Sequence, residues 1–167
     1  FRPGTRIEKV DAAAKTVSLP DGSTVSYDKL LLATGSSSRV IDLPGADASG
    51  VHYLRTVDDA RAIRETLTEG SRLAIVGAGW IGMEVAASAR ERGVEVAIAE
   101  ASKLPLLRAL GPEVAQVFAD LHREHGVDLR TEVKVAEITT ENGAATGLRL
   151  ADGDTIDTQF LVTCCGM

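Results

Sequence analysis

Six consecutive residues, Gly77-Ala78-Gly79-Trp80-Ile81-Gly82, fit the pattern G-x-G-x-x-G, a spacing suited to holding a pyrophosphate. The first glycine allows a tight turn and the second admits a phosphate against bare backbone. The third lets a helix pack closely on a strand. Alone, the pattern often marks only a bend. Here the apolar run Leu73-Ala74-Ile75-Val76 precedes it, and a helical run with Ile81, Val85, Ala86 and Ala89 on one face follows it. That context makes it a dinucleotide fingerprint. The helix N-terminus adds unpaired N–H groups and a partial positive charge for the phosphates.

Glu100 lies 18 positions beyond Gly82, at the end of the next apolar run. A carboxylate there accepts hydrogen bonds from the adenosine ribose hydroxyls and repels a 2′-phosphate, so NADH is expected over NADPH. An ordinary solvated strand end would read the same way, and Lys103 or Arg108 can soften the discrimination. Arg108 pairs with phosphate, stacks on adenine, or is merely solvated. Glu84 suits the helix dipole with or without a ligand. Trp80, the only tryptophan, reads most simply as packing on the sheet. His52, His122 and His125 show no metal spacing and read as surface residues. The adjacent Cys164-Cys165 pair reads as core, because a redox pair is usually spaced C-x-x-C or wider. No metal site is expected.

The elements around these residues alternate. Thr5–Val10 and Thr16–Leu19 read as strands around a turn, and Asp21-Gly22 marks the next turn. Tyr27–Thr34, with Leu30-Leu31-Leu32, reads as a strand buried on both faces. A Ser-rich stretch and Pro44-Gly45 read as a linker. Thr56 or Asp58 caps a helix over Asp59–Leu67. Arg72–Val76 is a strand, a helix runs from the glycine loop to about Arg92, and Val94–Glu100 is the next strand. Gly111-Pro112-Glu113 opens a helix ending near His125. Strands follow at Val127–Arg130, Val133–Thr139, Thr146–Leu150 and Phe160–Cys164, with Asn142-Gly143 and Asp152-Gly153 as turns. The expected fold class is α/β: a Rossmann-like parallel sheet with helices and an antiparallel β-meander.

The two ends of the chain repeat. Asp21-Gly22 matches Asp152-Gly153 at an offset of 131 positions. The same offset pairs Ile7 with Ile138, Ala13-Ala14 with Ala144-Ala145, Leu19 with Leu150, Thr24 with Thr155, Leu30 with Leu161 and Gly35 with Gly166. A duplicated β-unit is expected. The start at Phe1 and the stop at Met167 read as cuts in a longer chain. A net charge of −6 argues against nucleic-acid binding. No apolar run approaches the roughly 20 residues of a membrane span, and a reducing, cytoplasmic setting is expected.

Tyr27-Asp28-Lys29-Leu30-Leu31-Leu32-Ala33-Thr34-Gly35, then Pro44-Gly45, then Gly77 through Glu84 resembles the pyridine-nucleotide-dependent flavoprotein reductases. The stretch from Leu107-Arg108 to Gly126-Val127 adds a similarity to the ferredoxin reductases of oxygenase systems. The resemblance implies an NAD domain inserted into an FAD domain, with hydride passing from NADH to FAD and electrons on to a ferredoxin-like protein. It implies that Ala33, Thr34, Gly35 and Arg39 belong to a crossover touching FAD. Gly77, Gly79, Ile81, Gly82, Glu84, Glu100 and Arg108 then contact NADH, with Trp80 near the nicotinamide. Residues 1–39 are read as a partial FAD-domain β-segment, 40–160 as the NAD-binding domain, and 161–167 as a return strand. FAD is assigned to the longer parent rather than to this piece, which is expected to be inactive alone and to self-associate through residues 5–34. A disulfide reductase, an NADH oxidase, a nitrite reductase and a nucleotide-sensing interaction module stay open as alternatives.

Overall fold

The computed structural model of the chain describes residues 1–163. Cys164, Cys165 and Gly166, and with them the repeat's last match, lie outside the described residues. Two compact units divide the chain, Phe1–Gly35 and a second beginning at Ser36.

The first unit is a three-stranded antiparallel meander of β1 (Lys9–Asp11), β2 (Thr16–Ser18) and β3 (Thr24–Ser26). The expected strand over Tyr27–Thr34 is absent, and Leu31 and Leu32 are 86% and 70% exposed. A doubly buried strand needs hydrogen-bonded neighbours on both sides. None of the three strands of this unit pairs with that run.

The second unit has three layers. Its centre is a five-stranded parallel sheet of β4 (Val51–Tyr53), β5 (Arg72–Val76), β6 (Glu95–Ala99), β7 (Val127–Arg130) and β11 (Phe160–Thr163). The strand order is β4-β11-β5-β6-β7. One face, with Leu73, Ile75, Ile98 and Val162, is covered by α1 (Val57–Thr66), α2 (Trp80–Arg90) and α3 (Leu107–Glu124). The opposite face, with Ala74, Val76, Ala99 and Leu161, packs on a meander of β8 (Val135–Glu141), β9 (Ala144–Leu150) and β10 (Thr155–Asp157). Alternate residues of β5 therefore enter two separate cores, which is why its sequence is apolar without a break.

Local chemistry sets the element ends. Thr56 caps α1, and its Oγ1 accepts from the Asp59 amide while the Asp59 carboxylate accepts from the Thr56 amide. These bonds hold the Asp59 carboxyl below its ordinary pKa. The α3 segment contains a break: Leu107–Leu110 forms one helical turn, Gly111 departs to φ 75°, and Pro112 restarts the helix. Proline disfavours helical backbone in the residue before it, and glycine accepts the left-handed φ that results.

The repeat holds in one hairpin and fails in the other. β2 pairs with β3 through Thr16–Ser26, Val17–Val25 and Ser18–Thr24, and β9 pairs with β10 through the residues 131 positions on. The turn bonds follow the same offset: Leu19 N–H to Ser23 O matches Leu150 N–H to Asp154 O. Asp21 accepting from the Ser23 amide matches Asp152 accepting from the Asp154 amide. The preceding hairpins differ. Asp11 pairs with Thr16 across a four-residue loop, whereas Glu141 pairs with Ala144 across Asn142-Gly143. The expected match of Ala13-Ala14 to Ala144-Ala145 therefore sets turn against strand.

Thr158 joins the meander to the central sheet. Its buried hydroxyl accepts from the Ala74 amide at 3.0 Å and lies 2.7 Å from Arg72 O and 2.6 Å from Phe160 O. The near-isosteric Thr158→Val substitution leaves the buried Ala74 amide without that acceptor. It is expected to cost about 1–3 kcal/mol in urea unfolding, with Thr158→Ser retaining most of the stability.

Candidate dinucleotide-binding site

The glycine loop leaves the carboxyl end of β5, the inner strand flanked by β11 and β6. In open α/β sheets the crevice outside the carboxyl ends of the strands is where ligands bind. Gly77 takes φ 96°, which glycine adopts without strain. A Cβ on Gly82 would overlap Gly77 O, so this position fits only glycine unless the loop moves. A Cβ on Gly79 would meet nothing within 4 Å. Gly79 is also the N-cap of α2 and places no side chain over its first amides. The helix start is thus open, which is the cradle a phosphate requires.

The peptide group of Ala78 is held from both sides. Its N–H donates to Glu100 Oε2 at 2.6 Å, and its carbonyl accepts from Leu106 N–H at 3.0 Å. The other Glu100 oxygen accepts from Ser102 N–H at 2.6 Å. Each carboxylate oxygen has two lone pairs, so each keeps one after its backbone bond. Leu106 adopts the left-handed conformation, φ 55°, and so turns the chain into the helical turn that carries Arg108.

These residues border an open cavity of about 610 Å³, within the range usual for cofactor sites. Its walls include Gly77, Gly79, Trp80, Glu100 and Arg108, five residues expected from the sequence. Ile81 packs against the helix-side core, Gly82 is buried beneath the loop, and Glu84 is exposed on α2. None of these three is in the cavity wall. Ala33, Thr34 and Gly35 are exposed in the first unit, and Arg39 is exposed near the start of the second.

The chain matches the model of the pyridine nucleotide-disulphide oxidoreductases over residues 1–167. It belongs to that family. It is 38% identical over 164 residues to rhodocoxin reductase of Rhodococcus erythropolis, which covers 98% of this chain and 38% of the relative. It is 41% identical over 155 residues to the ferredoxin–NAD(+) reductase component of the anthranilate 1,2-dioxygenase system of Burkholderia cepacia, covering 92% and 38%. A crystal structure of a ferredoxin reductase from Rhodopseudomonas palustris superposes with a TM-score of 0.84 at 32% identity, over 99% of this chain and 44% of that one. The chain thus spans about two-fifths of the length of the curated relatives it matches.

Three side chains depart from the sequence expectation. Trp80 does not pack on the sheet: it is 51% exposed and meets Phe118 of α3 edge-on, with ring centroids 6.3 Å apart. His122 is buried, its ring nitrogens 3.1 Å from Phe118 O and from Met83 O, and so joins α3 to α2. His52 is half-buried on β4, and desolvation holds its pKa below the ordinary value while Asp59 opposes that shift. Only His125 is exposed as expected.

The cavity also has walls that the sequence did not reveal. Ile41 and Leu43 come from the segment before β4, Ser102 and Leu106 from the loop after β6, and Val133, Lys134 and Val135 from the approach to β8. In sequence, Val133 and Val135 are simply alternate residues of a strand. The bonds from Glu100 N–H to Arg130 O, Glu132 N–H to Ser102 O and Val133 N–H to Glu100 O bring them beside Glu100.

Two glycines separate ligand from fold. Gly79→Val is expected to abolish NADH binding with an unchanged circular dichroism spectrum, because its side chain enters the open cradle. Gly82→Ala is expected to destabilise the fold by about 1–3 kcal/mol through overlap with the loop. Equal NADH affinity of wild type and Gly79→Val in calorimetry would mean that the loop is only a turn.

Proposed function

We propose that this chain is the NADH-binding part of a flavoprotein reductase, in which hydride passes from NADH to FAD and electrons go on to a ferredoxin-like iron–sulfur protein. One observation carries the nucleotide half of this reading. The open start of α2 and the Glu100 carboxylate, tied together through Ala78, face one cavity of dinucleotide size. The phosphates lie over Gly77 and Gly79, where α2 offers its first amides. The free lone pairs of Glu100 take the adenosine ribose hydroxyls, and Arg108 supplies a cation at the same cavity. Ile81, Gly82 and Glu84 support this arrangement from α2, and Trp80 lies toward the nicotinamide.

The reductase half rests on family membership and on relatives named as reductases for rhodocoxin and for ferredoxin with NAD(+). FAD, when bound, accepts electrons in pairs and releases them singly. Ala33, Thr34, Gly35 and Arg39 are its proposed contacts, residues 1–39 its partial domain, and 161–167 the return toward it. A cytoplasmic setting, where NADH is supplied, fits this reading. Among the described residues no helix is long and apolar enough to cross a membrane.

Cofactor preference follows from Glu100. Loss of one charge-assisted hydrogen bond is worth about 1.5–3 kcal/mol, roughly 10- to 100-fold in affinity. Glu100→Ala is expected to lower the NADH-over-NADPH preference, read by quenching of the single tryptophan, Trp80. An unchanged ratio would remove the ribose role.

Self-association through residues 5–34 belongs to the same reading, because exposed Leu31 and Leu32 offer an apolar strip and unpaired strands recruit others. Deletion of residues 1–35 is expected to make the protein more monodisperse in light scattering at unchanged NADH affinity. A monomeric intact chain would count against it.

A further inference from the structure

Among the described residues around the cavity that no motif announces, Lys134 is the one with a charge. Its flanking residues Val133 and Val135 pack against the meander-side core, so Lys134 between them is turned away from that core. It is exposed and lines the cavity together with Glu100, Ser102 and Arg108. Its backbone is fixed, with its carbonyl accepting from Ala151 N–H at 2.8 Å. The neighbouring Glu132 and Val133 amides each donate at 3.1 Å to the backbone of Ser102 and Glu100. The segment therefore forms a rigid wall beside the adenosine end of the site. Among the described residues Lys134 has no ion-pair partner.

The charges at that end are not those of a site that only repels phosphate. Among the described residues Glu100 is the single carboxylate of the wall, and it already shares its negative charge with two backbone amides at 2.6 Å. Two cationic residues, Arg108 and Lys134, and the hydroxyl-bearing Ser102 also line this cavity. An ammonium is a compact charge with three donors, suited to a phosphate rather than to a planar base.

Resting on the dinucleotide reading of this cavity, we propose that Lys134 is a specificity-determining residue that receives the 2′-phosphate of NADPH. The site then holds both nicotinamide cofactors, with Glu100 favouring NADH and Lys134 limiting how strongly NADPH is refused.

Calorimetric dissociation constants for NADH, NADPH, 5′-AMP and 2′-phospho-5′-AMP test this on wild type, Lys134→Met and Lys134→Arg, each at low and at physiological salt. Lys134→Met is expected to raise the NADPH-to-NADH ratio of dissociation constants about fivefold, the scale of one exposed charge pair, and to flatten the salt dependence of NADPH binding. The ratio of dissociation constants for 2′-phospho-5′-AMP and 5′-AMP should rise in the same way, and Lys134→Arg should restore both ratios. A wild type that binds NADH but whose ratio is unmoved by Lys134→Met overturns the role of Lys134 alone. Equal weakening of both dinucleotides also overturns it, since that is what a merely structural wall would do. A wild type that binds neither dinucleotide overturns the cavity reading itself, and this proposal with it.

Discussion

The peptide group of Ala78 is the point on which the site depends. Its N–H is held by the Glu100 carboxylate and its carbonyl by the Leu106 amide. Gly77 N–H donates to Ala99 O at 2.9 Å just before it. A glycine-rich loop has many accessible conformations and loses much entropy when it is ordered. Three bonds from β6 and the loop after it select one conformation without adding a side chain to the space the loop must leave open. Charge-assisted bonds of this kind are stronger than neutral ones, so Glu100 serves the shape of the loop as well as any ligand.

That loop is placed by a sheet with two different faces. The helices on one side and the meander on the other each bury alternate residues of β5, β6 and β11. The meander is tied on by polar contacts at its margins. Arg130 of β7 reaches Asp154 at 2.8 Å and Asp128 at 2.8 Å. The side-chain oxygen of Gln159 accepts from the Arg72 amide. Gly45 presses on the backbone of Ile138, latching the segment that brings Ile41 and Leu43 to the cavity. The far wall of the site is therefore an extension of the meander rather than of the loop with the recognisable motif.

The two meanders show which part of a β-unit tolerates change. The second hairpin, with its Asp-Gly turn, keeps register and turn bonds at a fixed offset. The first hairpin does not, because a two-residue Asn142-Gly143 loop and a four-residue loop set different registers. The runs that leave the two meanders also differ. Phe160–Thr163 lies between β4 and β5, while the corresponding run ending at Leu32 pairs with no described strand.

By itself the sequence determined what depends on local chemistry and unbroken pattern. It set the strand–loop–helix at Gly77–Gly82, a capped helix start at Thr56 or Asp58, the turns at Asp21-Gly22, Asn142-Gly143 and Asp152-Gly153, and the placing of Glu100 at a strand end. Glycine freedom, capping and periodicity act within a few residues, so they can be read in order along the chain. The tertiary structure alone decided the rest. Leu30-Leu31-Leu32 has the composition of a buried strand, yet burial requires neighbouring strands that composition cannot supply. Trp80 rests on Phe118, and His122 reaches Met83, through helix packing between residues 38 and 39 positions apart. Lys134 reaches the site because backbone bonds lay its segment beside Glu100. A long-range hydrogen bond leaves no mark on the local pattern of either partner.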